Sequence, residues 1–305
     1  MPDLSICIVT WNVEELLRNC LASIFKNVKN ISFEVIVADN ASKDNTINMI
    51  QSQFPSVKII RNSTNAGFTI ATNKDIKMAG GRYIMILNSD TEVIDGALEK
   101  MMQFMEKHPE YGAVAPKLVN ADGSLQRSVK TFPSLEKVFY NTFFLDSLFP
   151  KSRIFGKYFM TWWDHNDERD IDQPMGSAIM VRRKVLDEVG LFDEKYYFWF
   201  DEVDLCFRIK KACLPAGRAG WKIRYKPDAQ ILHHLSQGFR QWKSPAQIIR
   251  GAVVWRKSRN YFFRKHYGFW TVPILWMFDI AQIILVLGSL VLIGLFIYRF
   301  IRALI

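Results

Sequence analysis

In the first ninety residues, short runs that are apolar on both faces alternate with stretches of helical composition, and this alternation confines the chain to a narrow class of folds. Leu4 to Thr10, Phe33 to Ala38, Val57 to Ile60 and Tyr83 to Leu87 are such runs, as expected of strands in a parallel sheet covered on both sides. Between them, Val13 to Asn27, Asp44 to Phe54 and Thr69 to Ala79 predict helices, so the fold class is α/β, built from repeated βαβ units. Polar residues collect where the strands end. Thr10 and Asn12 follow the first; Asp39, Asn40 and Ser42 the second; Asn62 and Asn65 the third; Asn88 and Asp90 the fourth. In an open α/β sheet the crevice at the carboxyl ends of the strands is where ligands bind.

Past residue 110 the pattern becomes α+β. Tyr111 to Pro116 predicts a further strand and Asn120-Ala-Asp-Gly123 a turn. Ser134 to Leu148 predicts one helix, Ser177 to Val181 a strand, and Asp201 to Lys211 a helix. Lys222 to Tyr225 and Ala229 to His233 predict two short strands.

The net charge of +10 suggests nucleic-acid binding until it is located. Residues 240–305 hold ten Lys/Arg and one acid, Asp279, so nine of the ten net charges lie in the tail and the sheet region is nearly neutral. That placement argues against a nucleic-acid partner. The same tail carries nineteen uncharged residues, Ile280 to Tyr298, preceded by the apolar Thr271 to Phe278, long enough to cross a bilayer as a helix. Eight basic residues precede the run and only Arg299 and Arg302 follow it, which predicts that the preceding domain lies on the cytoplasmic side. Pro245 to Tyr267 mixes apolar and basic residues, as a helix lying on anionic lipid does. The opening residues have no signal-peptide pattern, so the amino end is expected in the cytoplasm. Cys7, Cys20, Cys206 and Cys213 show no paired or metal-ligand spacing and read as small buried hydrophobes. The expected division is a catalytic domain at 1–240, a basic amphipathic segment at 241–270 and a membrane helix at 271–305.

Several groups in this frame carry chemistry. Asp39 sits at a strand end, able to accept from a base or ribose, or to cap the next helix. In Asn62-Ser-Thr-Asn-Ala-Gly-Phe68, with Asn73 beyond it, Gly67 permits close backbone approach to a ligand. Asn88-Ser-Asp90 presents hard oxygen ligands that suit Mg²⁺ or Mn²⁺. Asp201, Glu202 and Asp204 fall in the first turn of a predicted helix, where the helix dipole favours acids. They follow five successive aromatics, Tyr196 to Phe200, which could stack on a sugar ring. His233 and His234 end a strand whose alternation turns only one of them toward any given face.

Taken in order, IVTWN, VIVADNASKD, NSTNAGF, YIMILNSD, GSAIMVRRKVLDEVGLFDEKYYFWFDEVDLCFR and ILHH resemble family 2 of the inverting glycosyltransferases, in particular its rhamnosyltransferase-like branch, over roughly residues 4 to 240. The resemblance implies a GT-A fold with a Rossmann-like nucleotide-binding half, a mixed central sheet and a divalent cation, Mg²⁺ or Mn²⁺. It places Asp90 on the metal, with Asn88 where the first Asp of the motif would stand and His233 nearby. Asp39 contacts the nucleoside, and Thr10, Asn12, Asn40, Asn65, Gly67, Asn73 and Asn88 join it in the donor site. The catalytic base comes from the Asp201-Glu202 pair, Glu202 aligning with its second member; Trp199 and Asp204 would meet the acceptor. The family order of the pair is Glu-Asp, so its reversal here leaves the base open between the two. The segment Cys213 to Gly220 resembles an inserted surface loop.

The implied reaction moves a sugar, such as rhamnose from dTDP-rhamnose, to a glycan or polyprenyl-linked acceptor in cell-surface polysaccharide assembly. A sugar nucleotidyltransferase would show a Gly-rich phosphate loop after the first strand, where this chain has Thr-Trp-Asn-Val-Glu. A non-catalytic membrane adaptor would need no acids in the crevice.

Overall fold

The computed structural model describes residues 1–212, 220–234 and 244–304, with side chains outside 245–248 and 289–304. The elements run β1 (Leu4–Thr10), α1 (Glu14–Asn27), β2 (Phe33–Asp39), α2 (Thr46–Gln53), β3 (Lys58–Arg61), α3 (Phe68–Met78), β4 (Tyr83–Asn88), β5 (Thr91–Val93) and α4 (Ala97–Lys107). Then follow β6 (Tyr111–Val119), β7 (Leu125–Gln126), β8 (Val129–Lys130), α5 (Leu135–Thr142), α6 (Leu145–Leu148), a 3₁₀ turn (Phe155–Lys157), β9 (Arg169–Asp170) and β10 (Gln173–Pro174). The chain ends with β11 (Ala178–Arg182), α7 (Arg183–Val189), α8 (Asp201–Lys211), β12 (Lys222–His233), α9 (Pro245–Tyr267) and α10 (Thr271–Leu304).

The strands predicted for the first ninety residues form, and they are parallel. The main sheet has the order β3-β2-β1-β4-β11-β6-β12-β5, with β11 antiparallel to both β4 and β6, and β12 parallel to β6. It is therefore mixed, as the resemblance implies. Its core is Leu4, Ile6 and Ile8 of β1, Val35 and Val37 of β2 and Met85 and Leu87 of β4, packed against Leu17, Leu21 and Ile24 of α1. Register aligns the ends that matter: Thr10 lies opposite Asp39, and Val9 opposite Asn88. With about 4.8 Å between strands, Asp39 and Thr10 stand side by side, and Asn88 ends its strand one position back, beside Val9.

Two local predictions differ. The two short strands predicted near the end are one strand, β12, with a register shift between Lys226 and Gln230; Pro227 inside that shift cannot donate to a ladder, so the strand bulges there and continues. The helix predicted over Ser134 to Leu148 breaks in two, because Phe144 takes a left-handed conformation with φ 57°. The loop resembling an insertion, at 213–219, lies outside the described residues.

The chain forms two compact units, residues 1–132 with 163–259, and residues 133–162 with 260–305. Residues 133–162 thus group with the tail. In the second unit α10 packs on α5, with Phe139 and Phe278 edge to face at 5.9 Å. Within α10, Thr271–Gly288 is long and apolar enough to cross a membrane, and little of it is covered by protein. The Tyr267 hydroxyl donates to the Pro133 carbonyl at 2.9 Å.

Candidate active site

At the ends of β1 and β2 the backbone makes a tight cradle. The Asn40 amide donates to the Thr10 carbonyl at 2.9 Å, the Asn12 amide to Ser42 Oγ at 2.9 Å, and the Lys43 amide to Asn12 Oδ1 at 2.7 Å. These bonds hold Asn12 and Ala41 at φ 52° and 62°. Asp39 is buried, and the Ser42 amide donates to it at 3.1 Å. Thr10 Oγ1 is buried with no hydrogen-bond partner, an orphaned hydroxyl of the kind that a ligand or water must satisfy.

The loop before α3 joins this cradle. Asn40 Nδ2 donates to the Gly67 carbonyl at 3.2 Å, and Asn62 Nδ2 to Asn40 Oδ1 at 2.9 Å. Asn65 Oδ1 accepts from the Gly67 amide at 3.1 Å. Gly67 has φ 89°, and a Cβ built there would lie 3.0 Å from the Tyr197 ring. The close approach that glycine permits is thus made by an aromatic side chain of the protein. Asn73 is spent internally: its amide nitrogen donates to the Phe192 carbonyl and to Glu194 Oε1, both at 2.9 Å, while its oxygen accepts from the Phe192 amide at 3.0 Å. It braces α3 to the loop before α8, with both of its amide hydrogens engaged inside the protein.

Asp90 follows β4, held by its own carbonyl, which accepts from the His234 amide at 2.9 Å. Its Oδ1 lies 3.3 Å from His233 Nε2. The other ring nitrogen of His233 is 2.6 Å from Gln126 Oε1. Gln126 is oriented by its amide nitrogen, which donates to Asn120 Oδ1 at 2.9 Å and to the His233 carbonyl at 3.3 Å. Its oxygen therefore accepts from His233 Nδ1, which leaves the Nε2 lone pair facing the Asp90 carboxylate. Two acceptors facing each other call for a cation or a proton between them. His234 turns away to Glu92 Oε1 at 2.7 Å, as strand alternation requires. Among the described residues no group of three or more His, Cys, Asp or Glu gathers as a metal cage.

The aromatic run is split by function. Tyr196 and Phe200 are in the core; Tyr197 is exposed and Phe198 and Trp199 are half-buried, so three of the five rings could meet a sugar. Trp199 and Phe200 both have left-handed backbone, with φ 62° and 64°, which turns the chain sharply into α8. There Asp201 is buried and Glu202 half-buried. The two carboxyls share a hydrogen bond. Burial pushes Asp201 well above the usual carboxylate range, with the neighbouring Glu202 charge adding to it. Burial also raises Glu202, but the Lys130 ammonium and the bond from Asp201 oppose that rise. Burial thus disfavours charge on both carboxyls of the pair, most strongly on Asp201.

Glu202 packs over Gly176, where an added Cβ would lie 3.3 Å from Glu202 Cβ. The next residue, Ser177, accepts from the Asn88 amide through its carbonyl at 2.9 Å. A continuous path of contacts thereby runs from Glu202 through Asn88 to Asp90 and His233. Asp204 does not belong to it. It is 0% exposed, ion-paired with Arg208 Nε at 2.8 Å and within 3.4 Å of the Tyr196 hydroxyl, so it locks α8 in place and has no surface to offer an acceptor. Gln126 and Lys130 escape sequence reasoning, since nothing local marks a polar residue whose partner lies far along the chain.

The glycosyl transferase family 2 model matches residues 5–190, which include every strand of the donor cradle. The chain is 27% identical over 284 residues to the N-acetylglucosaminyl-diphospho-decaprenol L-rhamnosyltransferase of Mycobacterium tuberculosis, covering 90% of this chain and 88% of that protein. Among solved structures it resembles the S. aureus TarS fragment 1–349, with TM-score 0.51, 16% identity, and 87% of this chain and 73% of that one covered. It also resembles GalNAc-T7, crystallised with UDP, GalNAc and Mn²⁺, with TM-score 0.57, 17% identity, and 92% and 55% covered. With that fold, and with more than half its length matched, the chain is a glycosyltransferase and belongs to glycosyl transferase family 2.

Proposed function

We propose that this enzyme transfers L-rhamnose from dTDP-rhamnose, with inversion, to a polyprenyl-diphosphate-linked N-acetylglucosaminyl acceptor at the cytoplasmic face of a membrane. The observations that support the reading are Asp39 in register with Thr10 at the strand ends and Asp90 in contact with His233. The sugar and acceptor rest on the name of the mycobacterial relative, which matches along nearly the whole of both chains. The membrane rests on α10 and on the basic residues before it.

The donor set fits a divalent cation. An anionic oxygen and a neutral imidazole nitrogen, the latter fixed by Gln126, suit Mn²⁺ or Mg²⁺. Bound there, the ion would neutralise charge building on the leaving diphosphate. The remaining work falls to the chain. Asp39 accepts from the nucleoside, and Thr10, Asn12, Asn40 and Asn65 line the same cradle. Trp199, with Tyr197, walls the sugar. Glu202 removes the proton of the acceptor hydroxyl as that oxygen bonds to the anomeric carbon, opposite the breaking bond to the diphosphate. Asp201 keeps its own proton and orients Glu202. Attack from the opposite face inverts the configuration.

Purified enzyme incubated with a panel of nucleotide sugars and Mg²⁺ or Mn²⁺ is expected to hydrolyse dTDP-rhamnose slowly and to transfer it when a polyprenyl-diphosphate-linked acceptor is added. Turnover of a different donor with none of dTDP-rhamnose would refute the choice of sugar.

A further inference from the structure

The apolar surface of the second unit is larger than α10 alone accounts for. The chain leaves the sheet region at Pro133 and returns after Trp162; α5, α6 and the 3₁₀ turn between them belong to the same unit as α10. Between positions 139 and 154 this segment exposes Phe139, Phe144, Leu148, Phe149 and Ile154, with Leu148 and Ile154 67% and 60% accessible. Single exposed apolar residues are ordinary; five so close together mark an interaction surface.

The charges around them indicate what covers that surface. Lys151, Arg153 and Lys157 follow directly, and the Arg153 guanidinium lies 5.0 Å from the Trp162 ring. The two acids of the segment are both engaged: the Tyr140 hydroxyl donates to Glu136 Oε1 at 2.7 Å, and Asn141 Nδ2 to the buried Asp146 Oδ2 at 3.0 Å. Apolar side chains bordered by cations match the interface of an anionic bilayer, where rings and aliphatic chains enter the acyl boundary and cations stay with the headgroups. The location agrees. α5 packs on α10 through Phe139 and Phe278, at the end of α10 where Phe269, Trp270 and Trp276 are exposed as aromatic residues are at a membrane–water boundary.

We propose that residues 135–159 form an in-plane membrane-contact element that seats Phe144, Leu148, Phe149 and Ile154 in the headgroup region of an anionic bilayer beside α10. This rests on the reading of α10 as a membrane helix. Because both ends of the segment lead straight into the catalytic unit, its seating adds two attachment points of the chain to the one at the C-terminal tail.

The test uses the full-length enzyme with Cys213→Ser and one new cysteine: Phe149→Cys, Trp276→Cys, or Met78→Cys on an exposed helix position of the catalytic unit. Each is labelled with an environment-sensitive nitrobenzoxadiazole dye and reconstituted in phosphatidylcholine–phosphatidylglycerol vesicles containing spin-labelled lipid. The label at position 149 is expected to be quenched several-fold more than that at position 78, and most by a shallow spin label. Quenching at 149 no greater than at 78, with 276 quenched, overturns the proposal and leaves α10 in the membrane. Blue-shifted emission at 149 without lipid quenching means that a second copy or another protein covers the face, and also overturns it. Quenching at 276 no greater than at 78 removes the membrane reading of α10 and with it the proposal, whatever is seen at 149.

Discussion

Glu202→Gln tests the chemical centre of the proposed reaction, and Asp201→Asn serves as its internal control. Glutamine keeps the volume of glutamate, so the contact over Gly176 is preserved and the loss is confined to proton acceptance. A general base contributes about 10²–10⁴-fold, which at about 1.36 kcal/mol per tenfold is roughly 2.7–5.5 kcal/mol of barrier. In the proposed reaction Asp201 is the protonated partner, in keeping with burial that pushes its carboxyl well above the usual range. Asparagine at that position is also neutral and can still donate to Glu202, so its cost in kcat should stay under about tenfold. Radiolabelled sugar transfer gives kcat for each variant, and calorimetric titration of dTDP with Mn²⁺ should give wild-type affinity in both.

The pH dependence follows from the same pair. Glu202 is raised above the ordinary glutamate value, first by burial, and only its charged form accepts a proton. Activity should therefore fall as pH drops through that raised value, above the pH at which an exposed glutamate would titrate. The reverse ranking, with Asp201→Asn losing hundreds-fold and Glu202→Gln nearly active, would move the base to Asp201 and refute the proton assignment.

Gln126→Leu removes the acceptor that sets the His233 tautomer and should weaken Mn²⁺ binding in the presence of dTDP by about 10–100-fold, measured by calorimetry; unchanged affinity would detach His233 from the ion. Arg208→Ala leaves Asp204 buried without its charge partner and frees the carbonyls of Val189, Gly190 and Leu191, which should cost about 3–5 kcal/mol in urea unfolding. Asp75 is fully buried, with both oxygens lacking a hydrogen-bond partner and only the Ala38 backbone near enough to favour its charge; burial raises its pKa far above normal. A carboxyl raised in the folded state stabilises fully below its unfolded pKa, near 3.9, and loses that stability as pH rises toward the folded value. Asp75→Asn should therefore gain on wild type by up to about 1.36 kcal/mol per pH unit above about pH 4, read as the difference in melting temperature across a pH series.

The parallel half of the fold is legible because covered strands must be apolar on both faces, which makes Leu4 to Thr10 and Tyr83 to Leu87 readable as blocks. Their polar ends are legible for the same reason: Asp39 and Asn88 stand out against such runs. What sequence does not disclose is which polar group is already spoken for. Asp204 and Glu202 sit two positions apart in one helical turn, yet one is closed under Arg208 and the other faces Gly176. Asn73 and Asn65 flank the same loop, yet the first is taken by Phe192 and Glu194, residues about 120 positions away. Gln126 meets His233 across 107 positions. Such pairings depend on how β6, β7 and β12 come together, and no local pattern encodes that. The break at Phe144 is hidden as well, because a left-handed phenylalanine is held by its surroundings and not by its own preference.

Backbone strain connects these observations. Among the described residues, non-glycine positions with left-handed φ include Asn12 and Ala41 in the cradle and Trp199 and Phe200 at the turn into α8. Each such conformation costs about 1–3 kcal/mol and persists only where neighbouring bonds over-determine it. At Asn12 those bonds are visible: Ser42 and Lys43 bind it from both sides. At Trp199 the flanking Phe198 carbonyl accepts from Ser258 Oγ at 2.9 Å, while Phe200 meets the Trp255 ring at 5.9 Å. Both partners lie on α9, the basic helix that leads toward the membrane segment. The turn that aims Trp199 and delivers Glu202 is therefore clamped by the helix nearest in sequence to α10, and weakening that clamp with Ser258→Ala should raise KM for the lipid-linked acceptor more than it lowers donor hydrolysis. Equal loss in both reactions would show instead that the clamp serves the whole unit and not the acceptor wall.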